Sequence, residues 1–192
     1  MIKIFSSLLS LSLVLSLNCF AAWELKSDES SLHFVTTKAV HVAEVHQFKR
    51  LSGSIDNSGN AVLDIDLTSV DTSIEIRDQR MQEMLFETNM YPKAILNTKV
   101  NTASLKLKSG EQTSINLEGE LSIHGLKHKV SNVARVTKLA NGNVVAESES
   151  PIIINAKDFG LVDGIEKLRE VAGLPNISYS VAVNYRLTFS EK

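Results

Sequence analysis

The 192-residue chain has a single cysteine, Cys19, only three prolines, and aromatic residues at 6% of its length. One cysteine excludes an internal disulfide framework and a thiolate metal cluster. With Pro92, Pro151 and Pro175 as the only prolines, there is no proline-rich linker, and no low-complexity stretch or internal repeat divides the chain. Charge of either sign is not in excess, with 20 basic against 22 acidic side chains and no long basic block. Nucleic acid and anionic membrane surfaces therefore find no electrostatic footprint, and no nucleic-acid partner is expected. Hydrolase signatures are missing as well: the chain contains no Gly-x-Ser-x-Gly and no His-Glu-x-x-His.

Long apolar runs are absent except at the start. Lys3 precedes an apolar, Ser/Leu-rich stretch from Ile4 to Leu17, and small residues follow around Cys19-Phe20-Ala21. That order of charge, apolar core and small residues is the pattern of a secretory signal, with cleavage expected after Ala21 and a periplasmic mature domain over residues 22–192. The run is shorter than the roughly 20 residues that span a bilayer, so a membrane-spanning chain is not expected. A lipid-attachment role for Cys19 would want a small residue where Asn18 stands. Removal of residues 1–21 drops Lys3 and shifts the formal charge from −2 to about −3. The remaining chain of about 170 residues is long enough to be held by core burial alone.

What the mature chain has in quantity is alternation. Leu63, Ile65 and Leu67 alternate with Asp64, Asp66 and Thr68, and the same period of two recurs over Ile115–Ile123 and Val181–Phe189. Turn signals such as Asn57-Ser58-Gly59-Asn60, Lys108-Ser109-Gly110 and Asn141-Gly142-Asn143 separate the runs. Eight or nine strands are predicted, near Trp23–Lys26, Ser31–Lys38, Val45–Asp56, Ala61–Val70, Ala94–Val100, Thr113–Ile123, Lys129–Leu139, Asn143–Asn155 and Ile177–Ser190. Long strands with one apolar face are satisfied by closure into an antiparallel barrel, which removes unpaired edges, but a two-sheet sandwich would show the same alternation.

Between Ile65 and Pro92 a strand runs through a polar joint into a short helix, and its residues resemble one family closely. Ser69-Val70-Asp71-Thr72, then Arg77-Asp78, Leu85-Phe86 and Tyr91-Pro92, are similar to the strand, Arg-Asp pair, helix and Tyr/Phe-Pro of the YceI-like family of polyisoprenoid-binding, lipocalin-like proteins. Further anchors are Trp23, Ser31-Leu32-His33-Phe34, Val45 with Phe48, Gly53-Ser54-Ile55, the run Gly119–Gly125, Ile154-Asn155 and Asp158–Leu161. The chain departs from the family at Lys38, where histidine is frequent, and at Ala156, where arginine is frequent. The resemblance implies an all-β, single eight-stranded lipocalin-like barrel with one or two short helices. It also implies a periplasmic or secreted non-catalytic protein that holds a polyisoprenoid or similar long-chain amphiphile, with no cofactor and no metal.

On that reading the lipid-binding lining is the apolar strand face: Phe34, Phe48, Leu63, Ile65, Leu67, Leu117, Leu121, Ile123, Val183, Tyr185 and Leu187. The same residues in a filled core would simply pack, and only a cavity separates the two readings. Arg77, Arg80 and Lys157 are the head-group candidates, because guanidinium and ammonium groups pair with phosphates or carbonyls. Arg77 beside Asp78 and Glu75 would equally make a local ion pair, and Asp158 would stabilise its own turn. Met81, Met84 and Leu85 at helical spacing read as a lid or a plug, and Ile165, Leu168, Val171 and Ala172 within 160–175 as an exposed apolar patch or a lid. The histidine pairs His41/His46 and His124/His128 invite a metal, but strand residues four apart stand roughly 13 Å from each other. A ligand-free envelope protein acting through protein contacts, and an enzyme acting on a small hydrophobic substrate, are the alternatives.

Overall fold

The computed structural model describes residues 21–192. The expected export segment with Cys19 lies outside the described residues, apart from Ala21. Twelve strand segments and two helices follow in order: β1 Ala21–Leu25, β2 Ser31–Lys38, β3 Val42–Phe48, β4 Leu51–Asp56, β5 Asn60–Asp66, β6 Val70–Asp71, α1 Glu75–Arg80, β7 Lys93–Lys99, β8 Gln112–Ile123, β9 Leu126–Lys138, β10 Val144–Ser148, β11 Ile152–Asn155, α2 Val162–Val171 and β12 Ser180–Glu191.

Pairing resolves the twelve segments into eight strands of one antiparallel barrel. β1 and β2 lie end to end along one edge of β12, and β10 and β11 lie end to end along the other. β4 pairs with β1 while β3 pairs with β2, and β5 pairs with β4 while β6 pairs with β3, so each of these couples is one interrupted strand. β7, β8 and β9 continue the wall as a meander, and β9 returns to β10. Closure comes from β1 against β12, with Trp23 opposite Glu191 and Leu25 opposite Phe189. A closed ring leaves no sheet edge at that seam, and this excludes the sandwich that alternation alone left open.

Four of the sequence-predicted strands need correction. The run Val45–Asp56 breaks at Lys49-Arg50, and Ala61–Val70 breaks at a 3-10 turn over Leu67–Ser69. The two breaks face each other and satisfy one another's backbone. Lys49 N–H donates to the Ser69 carbonyl at 3.1 Å, Arg50 N–H to Ser69 Oγ at 3.0 Å, and Asp66 N–H to the Arg50 carbonyl at 3.1 Å. Each break shifts the inward set by one residue, from Phe48 to Leu51 and from Leu67 to Val70, so both halves face the interior only because the period of two stops and restarts there. The run Asn143–Asn155 breaks around Pro151, which has no N–H to give the ladder. The final strand starts at Ser180 rather than Ile177, which contributes one isolated bridge to Lys38.

Both helices sit at one end of the barrel. α1 runs directly into a π turn over Met81–Leu85, and α2 crosses that turn at Gly164. A Cβ on Gly164 would stand 2.7 Å from the Met84 carbonyl oxygen and 2.8 Å from Leu85 Cα, so the absence of a side chain is what lets the two backbones touch. At the opposite end Leu25, Ile55, Leu105, Val136, Val144 and Phe189 are buried against Trp23 and close the barrel with a packed core. A second cluster of Leu121, Ala156, Phe159, Leu161 and Ile165 seats α2 on the wall.

Candidate functional site

The barrel interior is a cavity of about 500 Å³, within the range of ~300–1,000 Å³ usual for small-molecule sites. It follows the strands for most of their length: on β12 it is lined from Val181 to Phe189, roughly 26 Å along the strand at ~3.3 Å per residue. Alternation explains how an apolar interior arises, since every second side chain of β5, β8 and β12 points inward. All eleven residues expected to line it do so: Phe34, Phe48, Leu63, Ile65, Leu67, Leu117, Leu121, Ile123, Val183, Tyr185 and Leu187. Burial separates a hollow from a filled interior. Leu117, Ile115 and Val183 point inward yet are only half-buried, whereas Val136 and Val144 at the closed end are 1% exposed. Close packing would have buried the first three as completely as the second pair.

The cavity opens at the helix end, where its only charged lining residues gather: Lys38, Glu44, Arg77 and Arg80. Glu44 Oε2 accepts from Lys38 Nζ at 2.7 Å and from an Arg77 terminal nitrogen at 2.8 Å. Lys38 first, and Arg77 after it, hold the Glu44 carboxyl below the usual carboxylate range. Arg77 also donates through Nε to Thr72 Oγ1 at 2.8 Å and through its other terminal nitrogen to the Thr72 carbonyl at 2.7 Å. Asp78 accepts the Thr72 N–H at 2.8 Å and the Thr72 hydroxyl at 2.5 Å. The expected ion pair of Arg77 with Asp78 or Glu75 is thus replaced by one with Glu44, because Asp78 is committed to fastening Thr72. Arg80 lines the cavity with no ion-pair partner among the described residues.

The joint that drew attention in the sequence is therefore mostly a fastening. Asp71 accepts from Lys49 Nζ at 2.9 Å, Gln47 Nε2 at 3.0 Å and Ser73 N–H at 3.0 Å. The Lys49 bond, then the Ser73 and Gln47 bonds, depress its carboxyl to about 2. These contacts aim α1 so that Ile74, Ile76, Arg77, Arg80 and Met81 all reach the cavity. Of the two apolar groups expected as lids, Met81 and Leu85 line it from the π turn, and Ile165, Leu168 and Ala172 line it from α2. Met84 and Val171 face elsewhere.

Lys157 lies off the cavity wall, with Nζ 5.9 Å from the centre of the Tyr179 ring. Its neighbour Asp158 does not supply the turn-stabilising bond either, since Asn155 Oδ1 accepts the Lys157 N–H at 3.0 Å. At the two positions that depart from the family, Lys38 reaches Glu44 and Ala156 adds apolar wall.

Sequence reasoning missed Glu44 and weighed His46 only as a metal ligand, not as part of the lining. Both lie on the inward face of β3 with Phe48, while Val45 on the outward face is 66% exposed, so polarity on this strand is reversed near the mouth. Phe48 fixes that register and was the available signal. His46 is buried, with Nε2 3.0 Å from Thr36 Oγ1 and no partner for Nδ1. Burial first, and the nearby Arg77 charge second, lower its pKa. His124 lies in the β8–β9 turn, 2.7 Å from Glu87 Oε2 with its ring tilted against Tyr91, and among the described residues no histidine pair joins a metal-holding cluster. Tyr185 hydrogen-bonds Asn132 Oδ1 at 2.9 Å, and burial pushes its hydroxyl up to about 12.

Known proteins share this architecture. A polyisoprenoid binding domain from Saccharophagus degradans, implicated in plant cell wall breakdown, superposes with a TM-score of 0.88 at 36% identity over 90% of this chain and 100% of that one. BcnA of Burkholderia cenocepacia has a TM-score of 0.63 at 20% identity, covering 85% of this chain and 98% of its own. A YceI protein of Campylobacter jejuni has a TM-score of 0.53 at 19% identity, covering 77% and 84%. The last two speak for the fold alone. Among curated proteins none matches. The YceI-like domain model matches residues 23–189, nearly all of the described barrel, and with the lipocalin-like closure and apolar interior this places the chain in the YceI-like family.

Proposed function

We propose that this protein is a non-catalytic carrier of the periplasm that holds a polyisoprenoid, or a similar long-chain amphiphile, in the barrel interior with its head at the helix end. The observation that carries the reading is the shape of the cavity: long, hollow, apolar along its walls and charged only at the mouth. Each methylene moved from water into such a space is worth roughly 0.8 kcal/mol. A long tail is then held tightly with few polar contacts, and head-group selectivity falls to Lys38, Glu44, Arg77 and Arg80. The relative from Saccharophagus degradans, whose described ligand class is polyisoprenoid, supports the same class here. Periplasmic location rests on the residue order of the first 21 positions, and among the described residues no helix is long and apolar enough to cross a membrane.

A carrier rather than an enzyme suits the polar groups on the wall, most of which are tied to one another in Lys38–Glu44–Arg77 and Tyr185–Asn132 contacts. Tyr185, with its pKa at about 12 and its hydroxyl on Asn132, is a poor base near neutrality. Thr36 and His46 sit at nucleophile–base distance, but no third group orients the imidazole through Nδ1. Protein purified from its own periplasm is expected to show, in native mass spectrometry, the chain mass plus one lipid, and organic extraction should release an isoprenoid. A chain mass with no adduct, and an extract without lipid, would defeat the reading.

A further inference from the structure

The rim of the mouth carries apolar side chains that no fold requirement explains. Val40 at the tip of the β2–β3 hairpin is 59% exposed, Val42 is 46%, and Ile74 and Ile76 at the start of α1 are 47% and 53%. They belong to one edge. Val42 is on the same strand face as the lining residue Glu44, whose carboxylate grips Arg77 on α1, and Ile74 and Ile76 touch both the cavity and solvent. The hairpin tip is held in a costly geometry: Ala39 and Val40 have φ of +47° and +68°, a left-handed region that a β-branched residue rarely enters. Asn176 fixes it there, accepting the Val40 N–H through Oδ1 at 3.0 Å and the Ala39 N–H through its carbonyl at 3.1 Å. A strained tip, pinned so that an aliphatic side chain faces water, marks a position kept for a contact.

We propose that this aliphatic rim docks on the surface of a lipid bilayer, seating the mouth against the lipid that the barrel takes up or releases. The inference rests on the carrier reading for its purpose, but the docking itself is separately measurable. The occupant is argued from chemistry and continuity. The rim is continuous with an apolar cavity, so a tail leaving a bilayer beneath it would pass to the barrel without crossing water. It contains only branched aliphatics and none of the Trp or Tyr anchors that dominate protein interfaces. Its charges cancel, with Lys38, Arg77 and Arg80 against Glu44, Glu75 and Asp78, so docking is expected to depend on apolar insertion and to be indifferent to anionic lipid.

Vesicle flotation tests this with the full mature protein, zwitterionic phosphatidylcholine vesicles and matched vesicles containing phosphatidylglycerol. The variant is Val40→Asn, because asparagine accepts the left-handed geometry and Val40 does not line the cavity. The wild type should float with both vesicle types to a similar extent and without salt dependence. Val40→Asn, alone or with Val42→Asn, should lower the floated fraction about tenfold, while its melting temperature holds or rises and binding of a fluorescent prenol in vesicle-free solution is unchanged. A wild type that binds the prenol but stays with the soluble fraction overturns docking and leaves the carrier reading standing. Flotation with no prenol binding would do the reverse. Flotation confined to anionic vesicles, or equal for wild type and Val40→Asn, also overturns the proposal.

Discussion

Leu117→Trp is expected to abolish ligand binding while leaving the fold intact. Leu117 sits midway along β8, points into the barrel and is only half-buried, so an indole there enters empty space rather than a packed neighbour. In a filled core such an enlargement would cost on the order of 1–3 kcal/mol of stability. In a hollow one it gains contacts and excludes part of the tail. If about four methylenes lose their place at roughly 0.8 kcal/mol each, affinity falls by about 3 kcal/mol, or more than a hundredfold. Thermal denaturation and a fluorescent-prenol titration on the same preparation check both halves. A melting temperature lowered by several degrees with binding preserved would show that the interior is packed and the tail lies elsewhere.

The second large effect is at Gly164, and two contributions of opposite sign decide it. Alanine in place of a helical glycine ordinarily stabilises, by up to about 1 kcal/mol in a helix interior and less in the first turn where Gly164 stands. Here the added Cβ would meet the Met84 carbonyl oxygen at 2.7 Å and Leu85 Cα at 2.8 Å, both of them backbone atoms that cannot swing aside. Relieving those contacts means moving α2 off the π turn, at a cost of roughly 1–3 kcal/mol, with the larger loss expected because the lid residues Ile165 and Leu168 move with the helix. Gly164→Ala should therefore lower the melting temperature by about 2–6 °C and speed ligand release. A variant more stable than wild type, as helix propensity alone would give, would contradict this helix contact.

Much of the barrel was legible because alternation holds within each strand segment. The period of two puts Leu63, Ile65, Leu117, Leu121, Val183 and Leu187 on apolar strand faces, the family resemblance makes those faces the barrel interior, and all six line the cavity. At Lys49-Arg50 and Leu67–Ser69 the inward positions step by three, from Phe48 to Leu51 and from Leu67 to Val70, a single slip that is easily passed over between two good runs, while at Pro151 the parity is kept from Ala146 to Ile152 and the pattern shows no break. Closure depended on the Trp23–Leu25 pairing with β12, a contact between the two ends of the described chain that no local pattern encodes. The mouth was the least readable part. Arg77 was marked as a head-group candidate, but its partner Glu44 lies 33 residues earlier, on a strand whose inward face turns polar at the rim. Lys157 looked similar in sequence and points to Tyr179 instead, a difference set by the 3-10 turn over Ala156–Phe159 that carries it.

The central claim is that a hollow apolar barrel supplies the binding energy and the mouth supplies little. Titration calorimetry of delipidated protein with a series of prenyl alcohols of increasing length, all bearing the same hydroxyl head, tests this most directly. Affinity should rise at least tenfold with each isoprene unit until the cavity is filled, then level off, and the heat-capacity change should be negative and grow with length. Affinity that is flat across the series, and that appears only when the hydroxyl is replaced by a phosphate, would place recognition at Lys38, Arg77 and Arg80 and contradict the account.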